Sequence, residues 1–145
     1  MPYILRLKVA ASDLDELKHV NNLVYLRWVQ DAAVAHSAAV GLGMDWYLER
    51  GEIFVVRRHE IDYLRAAVEG DEVEVLTQVS ETGPATAVRR TGIRRARDGE
   101  VLARAVTLWA YANLSTGRPV RIPDEVRNRF EIEPVPEAFA GRRKR

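Results

Sequence analysis

Residues 3 to 11, YILRLKVAA, alternate apolar and polar positions, the period of two that sets one face of a strand against a core. A polar stretch follows, and from Leu23 the period lengthens. Tyr25, Val29, Ala32, Ala33, His36 and Val40 recur every three to four residues and predict one buried face of a helix. Asn21 or Asn22 is placed to cap it, because a short amide side chain accepts from the orphan N–H groups of a first turn. Gly41 and Gly43 predict its end, since glycine tolerates the left-handed backbone that follows a last turn. About eighteen helical residues make a rod of roughly 27 Å, and the alanines of its second half let a sheet approach closely.

The segment MDWYLERGE reads as a link, and the chain beyond it is strand-like. IFVVRRHEIDYL (53–64), DEVEVLTQVSE (71–81), ATAVRRTGIRRAR (85–97) and EVLARAVTLWAYANL (100–114) are divided by turn signals at Gly70-Asp71, Gly83-Pro84 and Asp98-Gly99. Asp98-Gly99 predicts a type I′ turn, which needs positive φ at both central positions. Short connections between successive strands predict an antiparallel meander. Apolar residues on both faces around Val106, Leu108, Trp109 and Ala110 predict a central last strand covered on both sides. STGRPVRIPDEVRNRF predicts a turn and a short terminal helix, with Pro123 at its first position and Asp124 near its positive end. One apolar helix face and one long antiparallel sheet predict an α+β domain over residues 1–140 in which the sheet wraps the helix. GRRKR at 141–145 reads as a frayed basic tail.

Composition narrows the functional classes. The 145 residues are 47% hydrophobic, enough for one compact core. Lys and Arg number 22 against 21 Asp and Glu, so no broad electrostatic footprint for nucleic acid or an anionic membrane is visible. The absence of cysteine excludes disulfide scaffolds, thiolate nucleophiles and Cys-based metal sites. The opening MPYILRLKVAASD has charges within its apolar run and does not read as a signal peptide, and no segment reaches the length of a membrane span. A cytoplasmic protein is expected.

The candidate chemistry sits in residues 12–28, SDLDELKHVNNLVYLRW, where two aspartates, a histidine and two asparagines precede the first apolar turn of the helix. One capping side chain ordinarily suffices there. The unpaired N–H groups and positive dipole end of a helix hold a developing oxyanion, and losing one such donor costs roughly 3 kcal/mol of barrier stabilisation. Asn21 and Asn22 stand where those donors lie. Asp15 or Asp13 supplies a carboxylate for general-base or nucleophilic work, and His19 can orient the carbonyl or position water. These are the parts of an acyl-transfer or hydrolysis site without metal or serine. The plainer readings are that Asp13 and Asp15 cap turns, that the asparagines are simple caps and that His19 is a structural hydrogen-bonder. A metal site from Asp13, Asp15 and His19 is disfavoured, because oxygen-rich sites normally show more ligands. His36 and His59 carry no assigned chemistry.

This stretch resembles the signature of the hotdog-fold acyl thioesterases, the superfamily of 4-hydroxybenzoyl-CoA thioesterase. The likeness is strongest to the branch with Asp-x-x-x-His-Val-Asn-Asn-x-x-Tyr shared with plant acyl-ACP thioesterases. It continues through EIDYLRAAVEGDEVEVLTQV to NLSTGRPVRIPDEV and so covers residues 3 to 130. The resemblance implies a hotdog fold, with a long central helix wrapped by an antiparallel sheet of about five strands. It implies hydrolysis of an acyl thioester without metal or organic cofactor, coenzyme A being part of the substrate and an acyl carrier protein the other possible carrier. By the same resemblance Asp15 is the catalytic carboxylate, as nucleophile or as base, and His19 assists it. A backbone N–H at Asn22 polarises the carbonyl, with Asn21 and Tyr25 supporting the loop.

Two positions depart from the pattern: Lys18 stands where glycine is common, and Leu17 stands where plant enzymes have an asparagine. The family further implies a homodimer with sheets joined edge to edge, often paired again into a tetramer. Phe54 and Val56 of the partner strand would then line the acyl pocket. Arg57, Arg58 and Arg65 either pair with coenzyme A phosphates, which guanidinium forks suit, or are solvated strand charges. Two rivals are kept in view. A noncatalytic acyl-CoA-binding or regulatory dimer would retain ligand without releasing thiol. A hydratase or dehydratase on this fold would resemble Asp-x-x-x-x-His, or His with a distant acid, and neither Asp13 nor Asp15 has that spacing to His19.

Overall fold

The computed structural model describes residues 2–132 and 134. Five strands, β1 (Tyr3–Lys8), β2 (Glu52–Tyr63), β3 (Glu72–Thr82), β4 (Thr86–Arg95) and β5 (Val101–Asn113), form one sheet in the order β1-β3-β4-β5-β2, with every pair antiparallel. Among the described residues three α-helices accompany it, α1 (Asn22–Ala39), α2 (Met44–Arg50) and α3 (Asp124–Arg127), together with a short 3-10 helix at Ala11–Asp13. The α+β class with a single antiparallel sheet is as expected. The stretch expected to be a basic tail, 141–145, lies outside the described residues.

Helix α1 lies against the buried face of the sheet and turns Val24, Tyr25, Trp28, Val29, Ala32 and Ala33 inward. Val24 and Trp28 widen the face that the spacing predicts, while His36 and Val40 at its far end are only half-buried. Burying a side chain such as Val29 fully contributes roughly 1.5–3 kcal/mol. The first half of α1 meets Val73, Val75, Ile93, Ala103 and Ala105 in one apolar cluster. Beyond its second half, Leu42, Tyr47, Tyr111, Ile122 and Val126 make another.

A polar row runs between the two clusters across the inner face of the sheet. Thr77 and Thr91 share a hydrogen bond at 3.1 Å, Arg89 donates to Thr77 at 3.2 Å, and His59 Nδ1 bonds Thr107 Oγ1 at 2.9 Å. Strand register places these residues side by side, Thr77 opposite Thr91, Arg89 opposite Thr107, and Thr107 opposite His59.

Several local expectations are corrected. The first strand stops at Lys8 rather than residue 11. The segment read as a link is a seven-residue helix, α2, closed by Gly51 in the left-handed region at φ 72°. The sheet is not a simple meander: β3, β4 and β5 follow one another, but β2 pairs with β5 and occupies the far edge. Strand β5 is therefore flanked on both edges. Its outward side chains Arg104, Val106 and Leu108 remain half-buried rather than covered. At Asp98-Gly99 only the glycine has positive φ, so the connection is not type I′. Asp98 instead uses its carboxylate to accept from the Glu100 N–H and to pair with Arg95, which stabilises a longer loop. Pro123 caps α3 rather than opening it.

The polar row has a pH consequence through His36. Its ring stacks on Tyr3 at 5.3 Å, and its Nδ1 lies 2.8 Å from Arg89 Nη1. Burial first, and the Arg89 charge second, push its pKa down to about 4 from an ordinary 6.5. The neutral ring therefore contributes stability that is complete above pH 6.5 and is lost as pH falls toward 4. Equilibrium unfolding at stepped pH is expected to show that loss, and His36→Gln to remove its share of the slope in that window.

Candidate active site

The helix start is built on a small hairpin. Leu14 and Val20 form an antiparallel bridge, the Asp15 N–H donates to His19 O at 2.8 Å, and the Lys18 N–H donates to Asp15 O at 3.1 Å. Such a three-residue connection closes with one left-handed residue. Here that residue is Lys18 at φ 63°, the one non-glycine with positive φ among the described residues. The left-handed region costs a Cβ-bearing residue roughly 1–2 kcal/mol, which explains physically why glycine is common at this position.

The two aspartates have different fates. Asp13 is 7% exposed, accepts from the Ala10 N–H at 3.0 Å and pairs with Arg27 Nη2 at 3.0 Å. Its backbone carbonyl also takes the Asn21 N–H at 2.9 Å. Asp13 is thus committed to holding the loop, and its candidacy as a catalytic carboxylate is corrected. Asp15 is exposed on the hairpin. Its Oδ1 accepts from the N–H groups of Leu17 at 2.9 Å and His19 at 3.3 Å, while Oδ2 makes no hydrogen bond among the described residues. The His19 side chain is exposed beside it.

Asn21 caps α1, its Oδ1 accepting from Leu23 N at 2.9 Å, and its carbonyl accepts from Val24 N at 2.9 Å. That leaves the N–H of Asn22, the first helical residue, without a hydrogen bond among the described residues. It stands at the positive end of an 18-residue helix. Beside it opens a crevice of about 190 Å³ lined by Val20, Asn22, Tyr25, Tyr63, Leu64 and Arg65.

Tyr25 fixes the opposite wall of that crevice. Its buried hydroxyl accepts from Ala67 N at 2.9 Å and lies 3.5 Å from Arg65 O. Burial, ahead of the other influences, raises its pKa above the ordinary tyrosine value. Tyr63, which the sequence reading left out, packs edge-on against Tyr25 at 5.6 Å and donates to Asn22 O at 3.3 Å. Its signal was available in the strand alternation, which turns residue 63 to the same face as Ile61 and His59.

The remaining candidates, Arg65 at the crevice apart, lie elsewhere within one chain. Phe54 packs against Tyr47 and Tyr111 and lines a second cavity under the far end of α1. Val56 is half-buried opposite Trp109. Arg57 is exposed where the β2–β5 register shifts, Arg58 pairs with Glu60 at 3.3 Å, and Arg65 pairs with Glu100 at 3.2 Å. None of Phe54, Val56, Arg57 or Arg58 lines the crevice at the helix start. Among the described residues no group of three or more His, Cys, Asp or Glu side chains could hold a metal ion, and no helix is long and apolar enough to cross a membrane.

An exposed carboxylate and an open helix amide thus stand on adjoining segments, while neither Asp15 nor His19 lines the crevice itself. The sequence pattern of the thioesterase-like superfamily matches residues 9–130, and the chain belongs to that family. A chloroplastic acyl-(acyl-carrier-protein) hydrolase of Cuphea viscosissima is 37% identical over 111 residues, which cover 72% of this chain and 26% of that protein. The chain thus spans about a quarter of the length of that plant relative. The long-chain acyl-CoA thioesterase FadM of Escherichia coli is 26% identical, over 87% of this chain and 95% of its own. Among solved structures, a 1,4-dihydroxy-2-naphthoyl-CoA thioesterase from Synechocystis superposes with a TM-score of 0.83 at 18% identity, covering 89% of this chain and 95% of the other. That likeness establishes the hotdog fold.

Removing the Tyr25 hydroxyl strands the Ala67 N–H in a buried setting. Tyr25→Phe is expected to lower unfolding free energy by about 1–3 kcal/mol in urea titrations, with an unchanged denaturant slope.

Proposed function

We propose that this chain hydrolyses acyl-CoA thioesters to the free acid and the CoA thiol. The observation that carries the reading is the exposed Asp15 carboxylate, whose Oδ2 makes no hydrogen bond among the described residues, on a hairpin that leads into a helix whose Asn22 N–H is open. The thioester carbonyl oxygen accepts from that N–H, and the helix dipole stabilises the charge that grows on it. Asp15 then acts in one of two ways. As a base it takes a proton from water while the water oxygen bonds to the acyl carbon. As a nucleophile it bonds to the acyl carbon itself, and water later splits the mixed anhydride. In either course the C–S bond breaks, the sulfur leaves with the electron pair and gains a proton, and one water is consumed. His19 orients the reacting water or the carbonyl, and Asn21 and Tyr25 keep the helix start in place. The chemistry calls for no metal or organic cofactor.

The same reading makes the active unit a homodimer joined through β2. This strand is 12 residues long and, among the described residues, paired on one edge only. Leu17 and Leu23, 74% and 73% exposed beside the helix start, are apolar surface that a second copy would cover. Phe54 and Val56 of the second copy would then approach the acyl group, and Arg57, Arg58 or Arg65 the phosphates of coenzyme A. Pairing of two such dimers into a tetramer and a cytoplasmic location belong to the same proposal. The relatives include proteins named for acyl-carrier-protein and for acyl-CoA substrates, so both carriers belong in the assay.

Thiol release from short, long and aromatic acyl-CoA and acyl-carrier-protein thioesters tests the assignment. Asp15→Asn keeps the Oδ1 acceptor and is expected to lower turnover by roughly 10²- to 10⁴-fold with binding largely retained. Unchanged turnover in that variant rejects Asp15. Ligand retention without thiol release by the unaltered chain favours the noncatalytic acyl-CoA-binding dimer instead.

A further inference from the structure

The cavity under the far end of α1 measures about 170 Å³ and is walled largely by apolar groups, among them Tyr47, Phe54, Ile122 and Phe130. Ser37, Thr82 and Arg127 also line it, and among its polar groups the guanidinium of Arg89 belongs to a buried residue, 5% exposed. Burial lowers its pKa to about 10, so it remains a cation at neutral pH. Its company is unusual for a buried charge. Both of its hydrogen bonds leave from Nη1, to His36 Nδ1 at 2.8 Å and to Thr77 Oγ1 at 3.2 Å, and the Phe130 ring lies 5.7 Å away. No carboxylate pairs with it among the described residues, and its Nε–H and Nη2–H groups make no hydrogen bond there.

A second observation points the same way. Trp109 lines the same cavity, and its Nε1–H is buried without a partner. Burying a cation without a counter-charge is costly, and an orphaned buried donor adds to the cost. An acceptor-bearing ligand on the open edge of Arg89 relieves the first of these costs. The open edge of a guanidinium fork matches the two oxygens of a carboxylate. For the rest of the ligand, a dry cavity of about 150 Å³ accommodates a benzene ring.

We propose that this cavity is a binding site for small apolar carboxylates, of ring size or a short chain, with the carboxylate on the Nε and Nη2 edge of Arg89 and the apolar body against Phe54, Tyr47 and Ile122. The site is distinct from the crevice at the helix start, since Ala33 and Ser37 above it stand roughly 17 Å or more along the axis from Asn22. Binding is read without turnover, so the proposal stands or falls separately from thioester hydrolysis. The carboxylate can belong to a free acid or to the distal end of a larger molecule such as the thioester of a dicarboxylic acid.

Calorimetric titration of the full chain with benzoate and hexanoate, and with benzamide and hexanamide, tests the site. The acids are expected to bind at least tenfold more tightly than the amides, and Arg89→Met to remove the difference without lowering the thermal midpoint. Equal binding of acids and amides, or a preference that survives Arg89→Met, overturns the proposal. In case that variant does not fold, the indole N–H resonance of Trp109 in the unaltered chain gives a second reading: it is expected to move on titration with benzoate, and an unmoved resonance counts against the site. Competition then identifies the source. Displacement of benzoate by a nonhydrolysable adipoyl-CoA analogue, with a methylene in place of sulfur, but not by the matching hexanoyl analogue supports a distal carboxylate, and displacement by neither supports a free acid.

Discussion

Asp13 gives up its water to accept from the Ala10 N–H and to pair with Arg27, and its own carbonyl takes the Asn21 N–H. Through these contacts one buried carboxylate ties the chain before the hairpin to the first turns of the helix after it. Val20 N–H on Ala67 O and Tyr25 hydroxyl on Ala67 N–H then fasten the same point to the loop after β2. The hairpin that carries Asp15 and His19 projects from this fixed base. A reacting geometry needs its groups held to well under an ångström, and a loop held only by solvent could not supply that. Asp13 is therefore the structural carboxylate, and Asp15, two positions on, keeps one carboxylate oxygen without a hydrogen bond among the described residues.

Much of this was legible in the chain itself, because local rules govern it. The helix period, the Asn21 cap and the four later strand segments depend on neighbours within a few residues, and they emerge within one or two residues of expectation. The misses have a common physical origin in partners distant along the chain. The placement of β2 beside β5 is decided by pairing across about fifty residues, which a local alternation does not encode. The difference between Asp13 and Asp15 depends on Arg27, one helical turn beyond the helix start. Helix α2 escaped notice because seven residues with aromatic side chains show no clear period, and its stability comes from Tyr47 docking on Tyr111 and Phe54. The carboxylate of Asp98, by bonding its own loop, displaced the turn that Asp-Gly ordinarily forms.

The two ends of α1 serve different ends of the molecule. Its first half is locked into a dry cluster with β3, β4 and β5, which keeps the open amide of Asn22 in a fixed direction. Its second half lies over a polar row and an incompletely filled cavity. The family match spans residues 9–130 and so both halves, and the relatives include proteins named for different acyl carriers. Around that cavity, Arg89 and Trp109 are the groups least explained by packing alone, the one buried without a carboxylate partner among the described residues and the other with its indole N–H unpaired.

The claim on which the rest depends is that the Asn22 N–H receives the thioester carbonyl. It is tested most directly by binding a nonhydrolysable acyl-CoA analogue, with a methylene in place of sulfur and the carbonyl retained, and following the backbone amides by two-dimensional NMR. The account predicts that the Asn22 amide proton moves downfield by more than its neighbours as the carbonyl takes its hydrogen bond. An Asn22 amide that stays in place while the analogue binds would contradict it.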